Sequence, residues 1–365
     1  MKMRAALTLT PGADFFIDEV DLAPPKSTEV LVKMVGVGVC HTDVVAQHQG
    51  LPVPLPAVLG HEGAGIVQEI GSDVKDIKVG DHVALSFYSC AHCSSCRSGH
   101  PNLCELNEKV NLFGGVYADD TRRITYKGQE VSVFFGQSTF AEYAVTDQEN
   151  CVVIDKDVDL AIMGPLGCGF QTGAGAVANK LRPEVGSSIV VFGCGAVGLC
   201  AIMMAKNCGC TKIIGVDLVE SRLELAKELG ATHVINGRSG NVVEQIQEIT
   251  KGGADYSIET TAVPAVVNEA LYCLKLMGTC VILGSTGDQD VTIKTQYAIM
   301  GPGKTLAGVI EGNSIPKLFI PKLIELYKLG MFPIDKLIKE YKFEDINQAV
   351  IDSHKGIAIK PIIRF

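Results

Sequence analysis

The sequence predicts an α/β chain of two domains, the second a doubly wound parallel sheet. Three observations carry the prediction. At 365 residues the chain is long for one hydrophobic core and comfortable for two. A G-x-G-x-x-G turn at Gly193, Gly195 and Gly198 sits between a β-branched run and a helical apolar stripe. From there, strand-like and helix-like segments alternate as far as GTCVILGS (278–285).

Composition narrows the function. Apolar residues at 47% and charged residues at 20% describe a globular protein. A net charge of -9 with no basic stripe excludes a phosphate-tracking surface, so no nucleic-acid partner is expected. The apolar stretch of the N-terminal MKMRAALTLTPGADF is short, is broken by threonines and runs into Pro11-Gly12, which is not a secretory signal. No window approaches the ~20 apolar residues of a membrane helix. The expectation is a cytoplasmic protein with reduced thiols and no membrane partner. Its thirteen cysteines are then candidates for metal binding or catalysis rather than disulfides.

In chain order, the first motif is CHTD (40–43), followed across a proline-containing apolar run by GHEGAGIVQEIG (60–71). Cys40 and His61 are each plausible zinc ligands. Asp43 is placed to accept a hydrogen bond from the far nitrogen of His61 and fix its tautomer, or to cap a helix. Glu62, beside the ligand, is expected outside the first coordination shell, or else as a surface charge. The third ligand comes much later, from Cys168 in GPLGCGFQTGAG, a glycine-dense turn before a helix. Two thiolates and a neutral imidazole cancel the charge of a zinc ion and leave one tetrahedral corner open, where a hydroxyl group is acidified.

The second motif is CAHCSSCRSGHPNLC. Cys90, Cys93, Cys96 and Cys104 follow C-x2-C-x2-C-x7-C, and short spacers let thiolates converge about 2.3 Å from one ion. Four of them close the tetrahedron, so this zinc staples a loop and does no chemistry. An iron–sulfur cluster fits the ligand type, but the longer last gap suits it less well. Disulfides and unpaired thiols are the remaining readings. Two zinc ions per chain are expected.

In the second half, SSIVVFGCGAVGLCAIMMAK (187–206) places the glycine turn after a strand and before a helix. In that context the glycines permit close backbone approach and the helix N-terminus faces a pyrophosphate. The next strand, TKIIGVD, ends in Asp217, nineteen residues after Gly198, where a carboxylate bonds the ribose hydroxyls and repels a 2'-phosphate. NAD is expected over NADP. ADYSIETT and GTCVILGS read as further strands, separated by helices in SRLELAKELG, NVVEQIQEIT and PAVVNEALYCLKLMG.

Taken together, Cys40-His41-Thr42-Asp43, Gly60-His61-Glu62 with Gly65, Gly71 and Val74, the four-cysteine loop, Gly167-Cys168-Gly169 and the glycine turn ending in Asp217 resemble the zinc-containing medium-chain alcohol dehydrogenases over essentially the whole chain. The resemblance implies a GroES-like, mainly β catalytic domain over 1–169, completed by 310–365, around a Rossmann domain over 170–309, with the zinc at the cleft between them. It further implies that Thr42 hydrogen-bonds the alcohol oxygen. By the same resemblance His41 and Lys360 approach the pyrophosphate, Arg222 joins Asp217 at the ribose, and Thr172 lies near the nicotinamide. A homo-oligomer is implied, a tetramer rather than a dimer.

Many relatives carry a histidine five residues after the first zinc cysteine, and here that position is Val45. The proton path from Thr42 is therefore expected to run through His41, a cofactor hydroxyl or water, with His48 displaced in sequence. Within the family, CHTDVVAQ, VPLPAVLGHEG, PLGCGFQTGAGA and INQAVIDSHKGIAIKPII look most like the aryl-alcohol (benzyl-alcohol) dehydrogenases. The implied activity is reversible NAD-dependent oxidation of a primary aromatic or allylic alcohol. Aliphatic, polyol and glutathione-adduct alcohols are the alternatives. Candidate pocket residues are Leu51, Phe87, Tyr88, Phe134 and Phe135, which suit a flat apolar substrate, although such phenylalanines also serve as plain core.

Overall fold

The computed structural model describes every residue from Met1 to Phe365 and contains two compact units. The first comprises Met1–Gly169, Ile315–Glu325 and Ile334–Phe365, and the second Phe170–Ser314 and Leu326–Pro333. The C-terminal return thus differs from a continuous 310–365 segment. Ile310–Ser314 and Leu326–Pro333 stay with the second unit for local reasons. A Cβ on Gly312 would run into the carbonyl of Gln171, so the two backbones touch, and Asn207 Nδ2 donates to the carbonyl of Met331 at 3.0 Å. No helix is long and apolar enough to cross a membrane.

The first unit is built on two sheets. A five-stranded antiparallel sheet runs in the order Ala57–Val58, Lys2–Thr8, Phe16–Leu22, Ile124–Tyr126 and Gln129–Val131. The larger sheet runs Cys151–Ile154, His82–Leu85, Glu62–Ile70, Glu29–Gly38, Lys360–Arg364 and Ile338–Lys342, and Tyr143–Asp147 also pairs with Glu29–Gly38. Their inner faces bury Val30, Val32, Val37, Leu59, Val67, Val83, Leu85 and Phe140 in one apolar cluster. Burial of side chains of this size contributes about 1.5–3 kcal/mol each, before the entropy of ordering them is subtracted.

Register places the functional side chains. Gly38 pairs with Glu62, so the ends of two antiparallel strands bring Cys40, two residues past Gly38, beside His61, one before Glu62. Ile362 also pairs with Gly38, which carries Lys360 to the same end of the sheet. The neighbouring strand His82–Leu85 supports the turn before Cys168, where a Cβ on Gly167 would meet the carbonyl of Leu85. A Cβ on Gly164 would likewise meet the carbonyl of Glu62, and one on Gly38 would meet its carboxylate. Gly164 and Gly167 are needed because backbone packs directly on backbone, and Gly38 because the Glu62 side chain and the Pro165 ring fill the space.

The second unit holds a six-stranded parallel sheet in the order His233–Asn236, Lys212–Asp217, Ser188–Phe192, Ala254–Glu259, Leu274–Ile282 and Thr305–Gly308. By position along the chain this is 3-2-1-4-5-6, the doubly wound dinucleotide-binding order. Ser188–Phe192, SIVVF, is buried at every residue, as a central strand covered on both faces must be. Its helices span Ala196–Asn207, Glu220–Leu229, Val242–Thr250 and Pro264–Tyr272. The last corrects the helix read into PAVVNEALYCLKLMG. It stops at Tyr272, and Leu274 is already paired with Ala254 in the sheet. Met277 adopts φ +63°, a turn-like backbone that no continuing helix could contain.

Candidate active site

Cys40 ends its strand in extended conformation and forms the N-cap of the helix His41–Gln47. Asp43, three residues on, reaches back with Oδ2 to accept the Cys40 amide at 3.0 Å. Its Oδ1 accepts the Gly60 amide at 3.0 Å and Nδ1 of His61 at 2.9 Å. The two roles expected for Asp43, helix cap and histidine partner, are both filled by one carboxylate. A donated Nδ1–H leaves Nε2 of His61 as the lone-pair atom, and Nε2 is buried without a hydrogen bond of ordinary geometry.

The ligand atoms of Cys40, His61, Glu62 and Cys168 all lie within 4.8 Å of one another. His61, Glu62 and Cys168 are buried, and Cys40 is partly open. This donor set fits a zinc ion. An imidazole nitrogen without a hydrogen bond of ordinary geometry and two sulfurs converge, with the Cys40 thiol interacting with that ring. The thiol of Cys40 is held well below the ordinary thiol range, first by a hydrogen bond from Cys168 and then by His61, against the opposing effect of burial. A metal ligand must be deprotonated, so this environment favours coordination. Burial works against a charged His61, yet Asp43 outweighs it and raises the imidazole well above its usual value.

Glu62 belongs to this cluster rather than to the surface. Burial pushes its carboxyl pKa up, and the ammonium of Lys360 pulls it back down. Lys360 Nζ donates to both carboxylate oxygens, at 2.7 and 3.0 Å, and to the carbonyl of Val39 at 3.3 Å, while the Gly169 amide donates to Oε1 at 3.1 Å. The resemblance implies that Lys360 approaches the pyrophosphate, with a solvated cation as the alternative. The structure places it buried on Glu62, a partnership across 298 positions that no local pattern reveals.

Thr42 is half-buried, with its hydroxyl 3.5 Å from Cys40 Sγ. His41 is exposed on the same helix. Val45 is half-buried one turn on, and His48 caps the far end with Nδ1 2.9 Å from the Val44 carbonyl. Of the pocket candidates, Phe135 stacks on the His61 ring, centroids 4.4 Å apart at 23°, and Phe134 meets it edge-on at 5.5 Å. Leu51 packs at the margin of the apolar core and Phe87 lies within it. Tyr88 lines a separate cavity of about 180 Å³ with Lys26, Asp147 and Asn150.

The four cysteines of the loop also converge within 4.8 Å. Cys90 and Cys96 sulfurs are 4.0 Å apart, and backbone amides of Cys93 and Leu106 point at the sulfurs of Cys90 and Cys104. The Cys93 thiol is lowered to about 6, chiefly by backbone amides at Glu105 and Cys96. Burial pushes the Cys96 and Cys104 thiols up, so the amides favour thiolate at Cys93 while ion binding itself would have to drive the proton from those two sulfurs.

In the second unit, Gly193 has φ +92°, and a Cβ there would strike the Thr260 hydroxyl. A Cβ on Gly198 would strike the Gly193 carbonyl, whereas one on Gly195 would meet only open space. The outer glycines shape the turn and the middle one leaves room for a phosphate. Asp217 Oδ2 accepts the Cys194 amide at 2.7 Å and Oδ1 accepts the Val219 amide at 2.9 Å, so the acid also fixes the turn. With about four lone-pair positions a carboxylate retains capacity for a ribose hydroxyl. Arg222 lies 3.9 Å from Asp217, its Nε buried and unpaired. Thr172 is half-buried in the helix Gly169–Gly175.

Comparison with known proteins gives the same picture. The alcohol dehydrogenase GroES-like domain matches residues 26–156 and the zinc-binding dehydrogenase domain matches 196–328. A geraniol dehydrogenase from Castellaniella defragrans is 40% identical, covering 99% of this chain and 97% of its own. Alcohol dehydrogenase 1 of Trifolium repens is 37% identical, covering 100% and 97%. The crystal structure of benzyl alcohol dehydrogenase from Acinetobacter calcoaceticus superposes with a TM-score of 0.97 at 45% identity, covering 100% of this chain and 99% of that one.

Proposed function

The chain belongs to the zinc-binding medium-chain alcohol dehydrogenase family, and from that footing we propose that it oxidises a primary aromatic or allylic alcohol reversibly to the aldehyde, with NAD as hydride acceptor. The observation that carries the reading is the convergence of Cys40, His61 and Cys168, whose ligand atoms lie within 4.8 Å of one another with the His61 Nε2 lacking a hydrogen bond of ordinary geometry. These three side chains would hold the catalytic zinc and the four-cysteine loop a second, structural one. Bound there, zinc supplies Lewis acidity that lowers the pKa of a hydroxyl group at its open corner.

The protein's own residues do the rest. Asp43 holds the His61 tautomer that presents Nε2 as a ligand. Thr42 offers the hydroxyl nearest Cys40 for the alcohol's proton, which passes outward to exposed His41 or to water because Val45 cannot carry it. Held at the glycine turn of Gly193, Gly195 and Gly198 with Asp217 at its ribose, NAD would supply the hydride acceptor, and one proton would be released per aldehyde formed. Lys360 neutralises Glu62 and so keeps a second buried anion from over-charging the site. Asp217 favours the two ribose hydroxyls of NAD over a 2'-phosphate. Phe134 and Phe135 form an apolar aromatic wall beside His61, better suited to a ring or an unsaturated chain than to a polyol, whose hydroxyls would go unpaired.

The test is a panel of benzyl, geranyl, short aliphatic and sugar alcohols with NAD and NADP, compared as kcat/KM. Aromatic and allylic primary alcohols with NAD should lead. Leadership by a sugar alcohol or by NADP would refute the reading.

A further inference from the structure

We infer that Phe135 is a positioning residue whose ring fixes the plane of the His61 imidazole, and that it is itself held in place by a hydrogen-bonded chain from the four-cysteine loop. The inference rests on the reading of Cys40, His61 and Cys168 as a metal site.

The need for such a residue follows from geometry. Asp43 anchors His61 at one atom, Nδ1, and an imidazole held at one atom can still tilt about that bond. A lone pair on Nε2 points at an ion only when the ring plane is right. Phe135 lies nearly parallel against that plane, and Phe134 closes the other direction, edge-on to both rings. Tilting the imidazole would require both rings to move, and both are buried in the core.

Phe135 does not sit there by default. Its φ of +53° is a left-handed backbone that bulky side chains rarely adopt, and Gly136 and Ser138 beside it are left-handed too. Such a conformation persists only when its surroundings impose it. Here the Phe135 amide donates to the Asn111 carbonyl at 3.2 Å, and its carbonyl accepts from Asn150 Nδ2 at 3.0 Å. Asn111 is fully buried and grips both ends of the four-cysteine loop. Its Oδ1 accepts the Tyr88 amide at 2.9 Å, and its Nδ2 donates to the Tyr88 carbonyl at 3.0 Å and to Asn107 Oδ1 at 2.8 Å. Tyr88 lies two residues before Cys90, and the Asn107 amide donates to the Cys104 carbonyl at 2.9 Å. The loop that closes on its own metal therefore sets Asn111, Asn111 sets Phe135, and Phe135 sets His61. A structural metal site thereby acts on a catalytic one through hydrogen bonds and ring packing.

Cadmium-113 NMR of the full-length, cadmium-loaded protein tests this. The native protein should show two resonances, one from four thiolates and one from two thiolates and an imidazole. Phe135→Leu should shift or broaden the second while leaving the first in place, and a chelator should withdraw the second metal on the order of 10-fold faster. Phe135→Tyr, which keeps the ring, should restore the native rate, and Asn111→Ser should resemble Phe135→Leu. The unmoved four-thiolate resonance reports that the fold survives; if Phe135→Leu does not fold, Phe135→Met carries the same comparison. An unchanged second resonance and withdrawal rate in the leucine variant would overturn the inference. A native spectrum lacking the imidazole-ligated resonance would instead remove the metal-site reading, and the inference with it.

Discussion

Asp43 and His61 meet in a 2.9 Å hydrogen bond between two side chains with no solvent exposure, and the same carboxylate accepts the amides of Cys40 and Gly60. One acid therefore fixes both the thiolate and the imidazole that precede the substrate. Replacing Asp43 with Ala should weaken zinc binding about 10- to 100-fold, measured by competition with a chromogenic chelator. Asp43→Asn, which keeps an acceptor without the charge, should fall between the two.

Lys360→Met should destabilise the fold by about 3–5 kcal/mol, because Glu62 would remain buried without its counter-charge. Chemical denaturation measures it. Glu62→Gln in the same protein should recover much of the loss, since no uncompensated charge then remains.

Thr42→Val should lower kcat by about 10²- to 10⁴-fold with zinc content unchanged, the range expected for losing a positioned proton acceptor. His41→Ala should shift the pH–rate profile if the exposed imidazole passes that proton on, and an unmoved profile would leave water as the carrier.

Asp217→Gly should erode the preference for NAD over NADP, read as the ratio of kcat/KM values. KM for both cofactors should also rise, because the same carboxylate anchors the Cys194 amide inside the glycine turn.

Asp352 gives a pH dependence of known sign. Its carboxyl is lowered to about 2, first by Lys339, then by Tyr341 and Gln348. A folded pKa below the unfolded one stabilises fully above pH ~4 and is lost as pH falls through ~2. Acid unfolding followed by circular dichroism should therefore show the native protein losing stability over that interval, relative to neutral pH, more steeply than Asp352→Asn.

What could be read in the sequence was whatever chemistry requires at fixed spacing. The four-cysteine loop, the strand–glycine–helix turn and the acid closing the next strand are short-range patterns whose geometry follows from residue type. Cys40, His61 and Cys168 could be grouped because each sits in its own glycine-rich context. Lys360 could not be assigned to Glu62, since their meeting depends on the register of strands distant in sequence. Phe135 was legible as an aromatic but not as a left-handed residue stacked on His61. The helix drawn through residues 274–278 failed because LKLM, apolar but for Lys275, fits either period, and pairing with Ala254 decided it.

The floor of the site is three glycines, two laid main chain against main chain and one set under a buried carboxylate. Gly38, Gly164 and Gly167 touch Glu62 and Leu85 where even a methyl group has no room. Evolution or engineering thus has few degrees of freedom below the reacting centre. On the proposed reading, retargeting to larger or more polar alcohols would fall on Phe134 and Phe135, and both rings pack against His61. Specificity and metal retention are consequently expected to drift together rather than independently.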